Sequence, residues 1–486
     1  MARRALVIGA GFGGLAVAVR LAAQGWSVTV LERNGQPGGR ARVEHVDGYT
    51  FDLGPSVLTG PSLLKELWKS AGRELSDYVE LLRVDPSYRF VFTEGGSLEL
   101  SQRAEFMRAE IARFAPQDTA GWEAYRLHVE RFWDLTVRQV MHARMETPWD
   151  LLRFAPGMLA GSGFLSMDAL VRRYLTDERL MRAMRFHPTF VGASPWAPGS
   201  AIYSAIQGLE WEEGVWFPKG GTHALVRAME KLGRDLGVTY RYNADVVSLV
   251  VEGGRARGVL LTDGERLDAD AVVSNADAAW TYSVLVPQHD RGCFTDRYFD
   301  DARYTTGLFV WYFGTRRAWP DVAHHTVILD RAVPTRWNPA GAESFEPFTY
   351  LHRPTASDPS LAPDGCDSFY ALRAVPNLQG IKSWAVEAEA QRRILRRTLA
   401  NTVLPGLDEA VLVERQMDPH DFRRVLRTVH GAAFGLAPTL LQSAIFRPHP
   451  ASGVVPGLYL VGEGTHPGPG VPAVISSARI VADLLG

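Results

Sequence analysis

Apolar positions mark strands and helices from the first residues of the chain. Residues 4–9, Arg-Ala-Leu-Val-Ile-Gly, hold a short unbroken apolar run, the pattern of a strand buried on both faces of a parallel sheet. Leu15 to Ala23 follows as a helix, and Val28-Thr-Val-Leu31 as a second strand that ends in Glu32. The same order returns at the far end of the chain. Leu458 to Val461 reads as a buried strand, a glycine-rich turn follows, and Ala473 to Leu485 reads as a helix. Between the ends, Phe106 to Phe114 and Trp122 to Val140 space Leu, Phe, Trp and Val at three and four against Arg/Glu faces, which predicts helices. Thr239 to Val251, Val259 to Thr262 and Thr306 to Phe313 read as strands. These elements predict an α/β (α+β overall) protein with a Rossmann-like domain.

Uncharged stretches raise the question of a membrane. The longest, Phe186 to Leu209, could span a bilayer by length, but Pro188, Pro195 and Pro198 interrupt it. No transmembrane helix is expected. Arg3 and Arg4 before uncharged Ala5 to Val19, with Ala16-Val17-Ala18, resemble a signal peptide. The strand–turn–helix reading accounts for the same residues and for their glycines, and is preferred.

Composition narrows the partners. A chain of 486 residues with 46% hydrophobic and 22% charged residues can bury a sizeable core and exceeds one ordinary domain. With 52 basic and 54 acidic residues the net charge is −2, which argues against nucleic acid as a partner. Cys293 and Cys366 lie in no CxxC or Cys/His cluster, so neither a disulfide scaffold nor a metal site is expected.

The turns carry the candidate chemistry. Gly9, Gly11 and Gly14 form a G-x-G-x-x-G between the first strand and helix. Gly9 permits the tight turn, Gly11 lets backbone approach a pyrophosphate, Gly14 allows close helix–strand packing, and the helix N-terminus supplies free N–H groups. Glu32 stands where a carboxylate accepts from a ribose hydroxyl, which disfavours a 2′-phosphate. Pro37-Gly38-Gly39-Arg40 and Gly48 to Pro61 add further turns, and residues 462–472 form a second glycine-rich loop before a helix. Two such loops at opposite ends of the chain suit a long dinucleotide.

The βαβ start followed by Gly38-Gly39-Arg40 resembles the FAD-binding start of the amine oxidase and carotenoid desaturase superfamily. The string LYLVGEGTHPGPGVPAVISSARI from Leu458 resembles the C-terminal signature of bacterial-type phytoene desaturases and related carotenoid desaturases. GVWFPKGGTHALV from Gly214, Val272 to Asp277, Phe190 to Ile206 and GAAFGLAPTLLQSAIFRPH from Gly431 resemble other segments of that family, in order along the chain. The resemblance implies a discontinuous FAD domain at 1–85, 212–285 and 425–486, a helical cap at 86–211 with a membrane-associated region, and a mixed-sheet substrate domain at 286–424. It places Arg40 near the pyrophosphate, Gly54 and Pro55 near the flavin, and Val246 against the adenine. Gly462, Glu463, Val471 and Pro472 are assigned to the cofactor. Glu463 departs from the small residue of many phytoene desaturases and matches the amine oxidases.

The implied activity is FAD-dependent desaturation of a hydrophobic polyene, with phytoene foremost. Quinone or oxygen would be the electron acceptor, and the enzyme would be cytoplasmic and peripheral to the membrane. Late carotenoid desaturases and oxygenases share these motifs; amine oxidases and prenyl-binding proteins share the fold. His466, in the flavin-facing turn, and Arg447 are the catalytic candidates, with His449 and Glu463 considered beside them for the departing proton. Replacing Gly11 by Val is expected to abolish flavin retention, because a β-branched side chain would occupy the phosphate approach. Normal flavin absorbance in the purified variant would refute the phosphate-site reading.

Overall fold

The computed structural model describes residues 2–331, 348–380 and 384–486. Its first sheet has five parallel strands in the order Leu458–Leu460, Ala271–Ser274, Arg4–Ile8, Ser27–Glu32, Thr239–Tyr242. The two ends of the chain and its middle therefore share one sheet. Alternate residues of the central strand explain its unbroken apolar run. Ala5 and Val7 pack with the helices Phe12–Ala23, Thr222–Asp235 and Val471–Leu485 on one face. Leu6 and Ile8 pack on the other face against an antiparallel sheet, Val246–Glu252, Arg255–Leu261 and Arg266–Asp268. A strand covered on both sides has no polar face to show.

A second sheet has seven strands, in the order Val411–Met417, Gly307–Thr315, Asp367–Val375, Phe348–His352, His325–Leu329, Tyr88–Phe92, Ser97–Leu100. It is mixed: His325–Leu329 runs parallel to Tyr88–Phe92 and antiparallel to Phe348–His352. Strand Gly307–Thr315 is also buried on both faces. Phe309, Trp311 and Phe313 join Leu395 and Leu399 of the helix Ala385–Thr402 in one core. Val310 and Tyr312 face the opposite core, shared with Trp122, Tyr125 and Met184 of the helical segment.

The segment 86–211, expected to form a helical cap, opens with two strands of this second sheet. Tyr88, Phe90 and Phe92 are buried while Arg89 and Val91 are only half-buried, a period of two that selects strand over helix. Helices Ala104–Phe114, Thr119–Phe132, Pro148–Ala160 and Ser204–Glu213 follow. The proline-broken stretch from Phe186 forms short 3₁₀ turns before the last of these. Among the described residues no helix is long and apolar enough to cross a membrane.

Candidate cofactor and substrate site

Gly9, Gly11 and Gly14 each answer a steric demand. Gly9 sits at φ +94° and donates its N–H to Leu31 O at 2.8 Å, turning the chain off the strand. A Cβ on Gly14 would lie 2.0 Å from Gly9 O, so the helix meets the turn only without a side chain. A Cβ on Gly11 would lie 2.9 Å from Asn275 Oδ1, a contact between turns that adds to its expected role. Gly11 has no side-chain cap above the helix Phe12–Ala23, which leaves N–H groups for a ligand. Glu32 Oε2 accepts from Ala10 N at 2.9 Å and Oε1 from Asn34 N at 2.9 Å, so the carboxylate clasps the loop it was expected to complement.

These groups open onto a cavity of about 870 Å³. Of the expected residues, Gly9, Gly11, Glu32, Arg40, Gly54, Pro55, Val246, Glu463, Val471, Pro472 and His466 line it. Arg40 Nη1 lies 2.8 Å from Glu463 Oε1, and Arg40 Nε donates to Ala433 O at 3.1 Å. Arg40 Nη2 is buried without a partner, a cationic donor left over for an anionic group. Gly54 allows the Arg40 carbonyl to approach, since its Cβ would lie 2.0 Å away.

Three expected residues stay off the cavity lining. Gly14 acts through packing alone. Gly462, at φ +104°, donates to Ser477 Oγ at 2.9 Å, and a Cβ there would lie 2.6 Å from Asn275 Nδ2. It lets the two turns close on Asn275 and is not itself a wall of the cofactor cavity. Arg447 is corrected from catalysis to structure: its guanidinium donates to the carbonyls of Gln442 at 3.0 Å, Leu436 at 2.8 Å and Glu463, and is 3% exposed. His449 Nε2 faces Ile445 O at 2.9 Å and likewise does not line the cavity.

His466 reaches the cavity with one ring nitrogen already engaged. Its Nε2 donates to Val140 O at 3.0 Å, tying the C-terminal turn to the helix Arg138–His142. Burial, with a smaller contribution from Arg447, pushes its pKa down to about 4, leaving too weak a proton acceptor for neutral pH.

Two residues went unassigned in the sequence. Asn275 stands among Gly11, Gly13 and Gly462, and its Nδ2 donates to Val461 O at 3.2 Å. Asp277 caps the helical turn at Ala278–Trp280 and lines the cavity; burial and then Glu463 push its pKa up to about 6. The strand-end segment Val272 to Asp277 held the signal: Ser274, Asn275 and Asp277 crowd three polar side chains into the turn after the apolar run Ala271 to Val273.

The far part of the cavity is an apolar chamber walled by Phe186, Phe190, Ile206, Tyr350, Tyr370 and Leu372. Several polar tips there are engaged. Tyr350 OH lies 2.7 Å from Ser56 Oγ, and Tyr312 OH donates to Leu53 O at 3.2 Å. The buried carboxylate of Glu210 accepts from Tyr88 OH at 2.7 Å and lies 3.0 Å from His187 Nε2.

A model of the flavin-containing amine oxidoreductase family matches residues 12–485. A neurosporene-forming phytoene desaturase from Cereibacter sphaeroides is 40% identical over 99% of this chain and 94% of its own. A lycopene-forming phytoene desaturase from Pseudescherichia vulneris is 40% identical over 99% of each. The chain belongs to the phytoene desaturase family. That family lies within the flavin-containing amine oxidoreductases, and the chain is an FAD-dependent oxidoreductase. A solved oxidoreductase from Methanosarcina mazei shares the fold, with a TM-score of 0.65 at 18% identity over 99% of this chain and 100% of its own. The unpartnered Nη2 of Arg40, the uncapped helix start and the glycine turns suit the dinucleotide.

His466 gives this site a pH signature. A pKa of about 4, against 6.5 in the unfolded chain, supplies stability that is present above pH 6.5 and lost as pH falls through 4. The full loss is roughly 3 kcal/mol. His466→Gln, which keeps a donor for Val140, should show a melting temperature that gains on the parent's as pH drops from 7 to 4. A constant gap between the two would refute this reading.

Proposed function

We propose that this enzyme is a carotenoid desaturase acting on phytoene. The observation that carries the reading is the chamber: apolar, with the polar tips of Tyr312, Tyr350 and Glu210 already engaged. A hydrocarbon offers no polar handle, and a site that left polar groups unpaired would lose affinity for it. An amine or amino acid would need an anchoring charge beside the reacting carbon. Glu210, the carboxylate in this part of the lining, is already held by Tyr88 and His187.

The dinucleotide end divides its work among the glycine turns and the side chains around them. Gly9, Gly11 and the start of the helix Phe12–Ala23 receive the pyrophosphate together with Arg40. Glu32 takes a ribose hydroxyl, and Val246 lies against the adenine. Gly54, Pro55, Val471 and Pro472 bound the flavin, with Glu463 holding Arg40 in place. Bound FAD would supply the hydride acceptor, and the protein's part is to align the bond and keep water out. The proton of the adjacent carbon has the carboxyl groups of Asp277 and Glu463 on the same cavity wall as its candidate acceptors. A quinone or dioxygen then takes the electrons.

The enzyme docks on a membrane surface through the rim of the chamber. Trp149 and Leu441 are each 77% exposed, and Leu152, Leu159, Phe164, Leu440 and Phe446 are exposed beside them. Leu152, Phe164, Leu440, Leu441 and Phe446 also line the cavity, so the apolar patch surrounds its mouth. An interfacial helix, Pro148–Ala160, with Trp and Leu outward fits a monotopic attachment. A substrate dissolved in lipid would then enter without crossing water.

Co-expression in a host that accumulates phytoene is expected to yield coloured polyenes, and their conjugation length counts the steps. Colourless cells containing flavin-loaded protein would overturn phytoene as the substrate and direct the trial to later carotenoids. In a flotation assay with phospholipid vesicles the parent should rise with the lipid. The double variant Trp149→Ser/Leu441→Ser should lose about tenfold or more of that binding, since two large side chains contribute more than 1.4 kcal/mol. Unchanged flotation would remove the rim from the docking surface.

A further inference from the structure

Behind the chamber wall the second sheet brings three histidines together. His325 and His352 are paired directly across the antiparallel strands His325–Leu329 and Phe348–His352, and His324 precedes the first of them. The ring centroids are 4.5 Å apart for His324 and His325, 4.8 Å for His324 and His352, and 5.2 Å for His325 and His352. One nitrogen from each ring can be chosen so that all three lie within 4.8 Å of one another. All three residues are buried, and none lines the chamber.

Their nitrogens are not satisfied by the protein. His324 Nε2, His325 Nε2 and both nitrogens of His352 are buried without a hydrogen-bond partner. An unmet buried polar atom is costly, so a shared ligand that engages three of them at once is favoured. The opposite nitrogens of two rings are held in place. His324 Nδ1 lies 2.7 Å from Ser357 Oγ, and His325 Nδ1 lies 2.7 Å from Tyr350 OH. Fixing one ring nitrogen while the other points into a common space is how metal-binding imidazoles are oriented.

We propose that His324, His325 and His352 form a structural site for a zinc ion. Three imidazoles with no thiolate suit a borderline dication, with a fourth position left for water. Zinc–nitrogen bonds of about 2.0 Å require nitrogens about 3.3 Å apart, so binding draws the rings inward by rotation of their side chains. The neighbouring guanidinium of Arg353 is already paired with Asp367 at 2.9 Å, which tempers its repulsion of a cation. This site runs against the expectation, drawn from the absence of a Cys/His cluster along the sequence, that the chain binds no metal. Because His325 also holds Tyr350, whose ring forms part of the chamber, the ion would stiffen the wall against which the substrate lies.

The test uses the full-length flavoprotein, purified without a polyhistidine tag from zinc-supplemented cultures. Elemental analysis should find about one zinc per chain, and X-ray absorption should show imidazole nitrogens at about 2.0 Å. Stripping with a chelator should lower the melting temperature by several degrees, and zinc should restore it. His352→Gln should lose the metal while retaining flavin. Less than about half an equivalent of zinc in the parent, with no thermal response to added Zn²⁺ or Co²⁺, would overturn the proposal and leave the space to water. Full zinc retention in flavin-loaded His352→Gln would equally overturn it. If that variant fails to fold, the parent's metal content and absorption spectrum decide alone.

Discussion

Asn275 occupies the point where three distant parts of the chain touch. Cβ atoms on Gly11, Gly13 and Gly462 would lie 2.9, 2.7 and 2.6 Å from its side-chain amide. Gly14 is pinned by the carbonyl of Gly9 in the same turn. The missing side chains are a condition of assembly. They allow the first strand, the strand before Asn275 and the last strand to lie side by side with their turns in contact. Once those strands are parallel neighbours, the carboxyl ends of all three face one cavity, as open α/β sheets require of a ligand site. Arg40, Asp277 and Glu463 then meet, although they are far apart in sequence.

The second sheet solves a different problem. It must cover a chamber without presenting polar groups to it, and it must have a dry face behind as well. Strand Gly307–Thr315 meets both needs by alternation, sending Trp311 and Phe313 toward the helix Ala385–Thr402 and Val310 and Tyr312 toward the chamber. Tyrosine is useful in that wall only if its hydroxyl is engaged, as in Tyr312 with Leu53 and Tyr350 with Ser56. The buried charge of Glu210 obeys the same rule through Tyr88 and His187.

The sequence exposed the parallel sheet well because both demands on it are local. A strand buried on two faces must be apolar throughout, and a turn that touches backbone must be glycine. The positions of Gly9, Gly14 and Glu32 follow from those demands. The strands Tyr88–Phe92 and Ser97–Leu100 were hidden among helices because five-residue alternation is weak beside long amphipathic runs. Arg447 and His466 stood out as catalytic candidates for one shared reason. A polar residue in a glycine-rich segment looks chemical, yet loops without regular hydrogen bonding leave carbonyls that need donors. Which carbonyls those are depends on tertiary contact, and Val140 lies far from His466 in sequence. Asn275 escaped for the converse reason, since its importance lies in what surrounds it.

The two halves of the cavity make opposite electrostatic demands, and the fold keeps them apart by assigning each to its own sheet. Titratable groups gather where backbone turns and helix N-termini can solvate them, close to Arg40, Asp277 and Glu463. The apolar half is walled by the second sheet and opens through Phe164, Leu441 and their neighbours. A charged group moved into that half would face a desolvation cost of several kcal/mol without a turn to offset it. The raised pKa of Asp277 shows this tension at the boundary, since burial first and Glu463 second push its carboxyl toward the neutral form. A substrate with no polar atoms is therefore the one that the second half admits without penalty, and the separation that shelters the dinucleotide also selects a hydrocarbon.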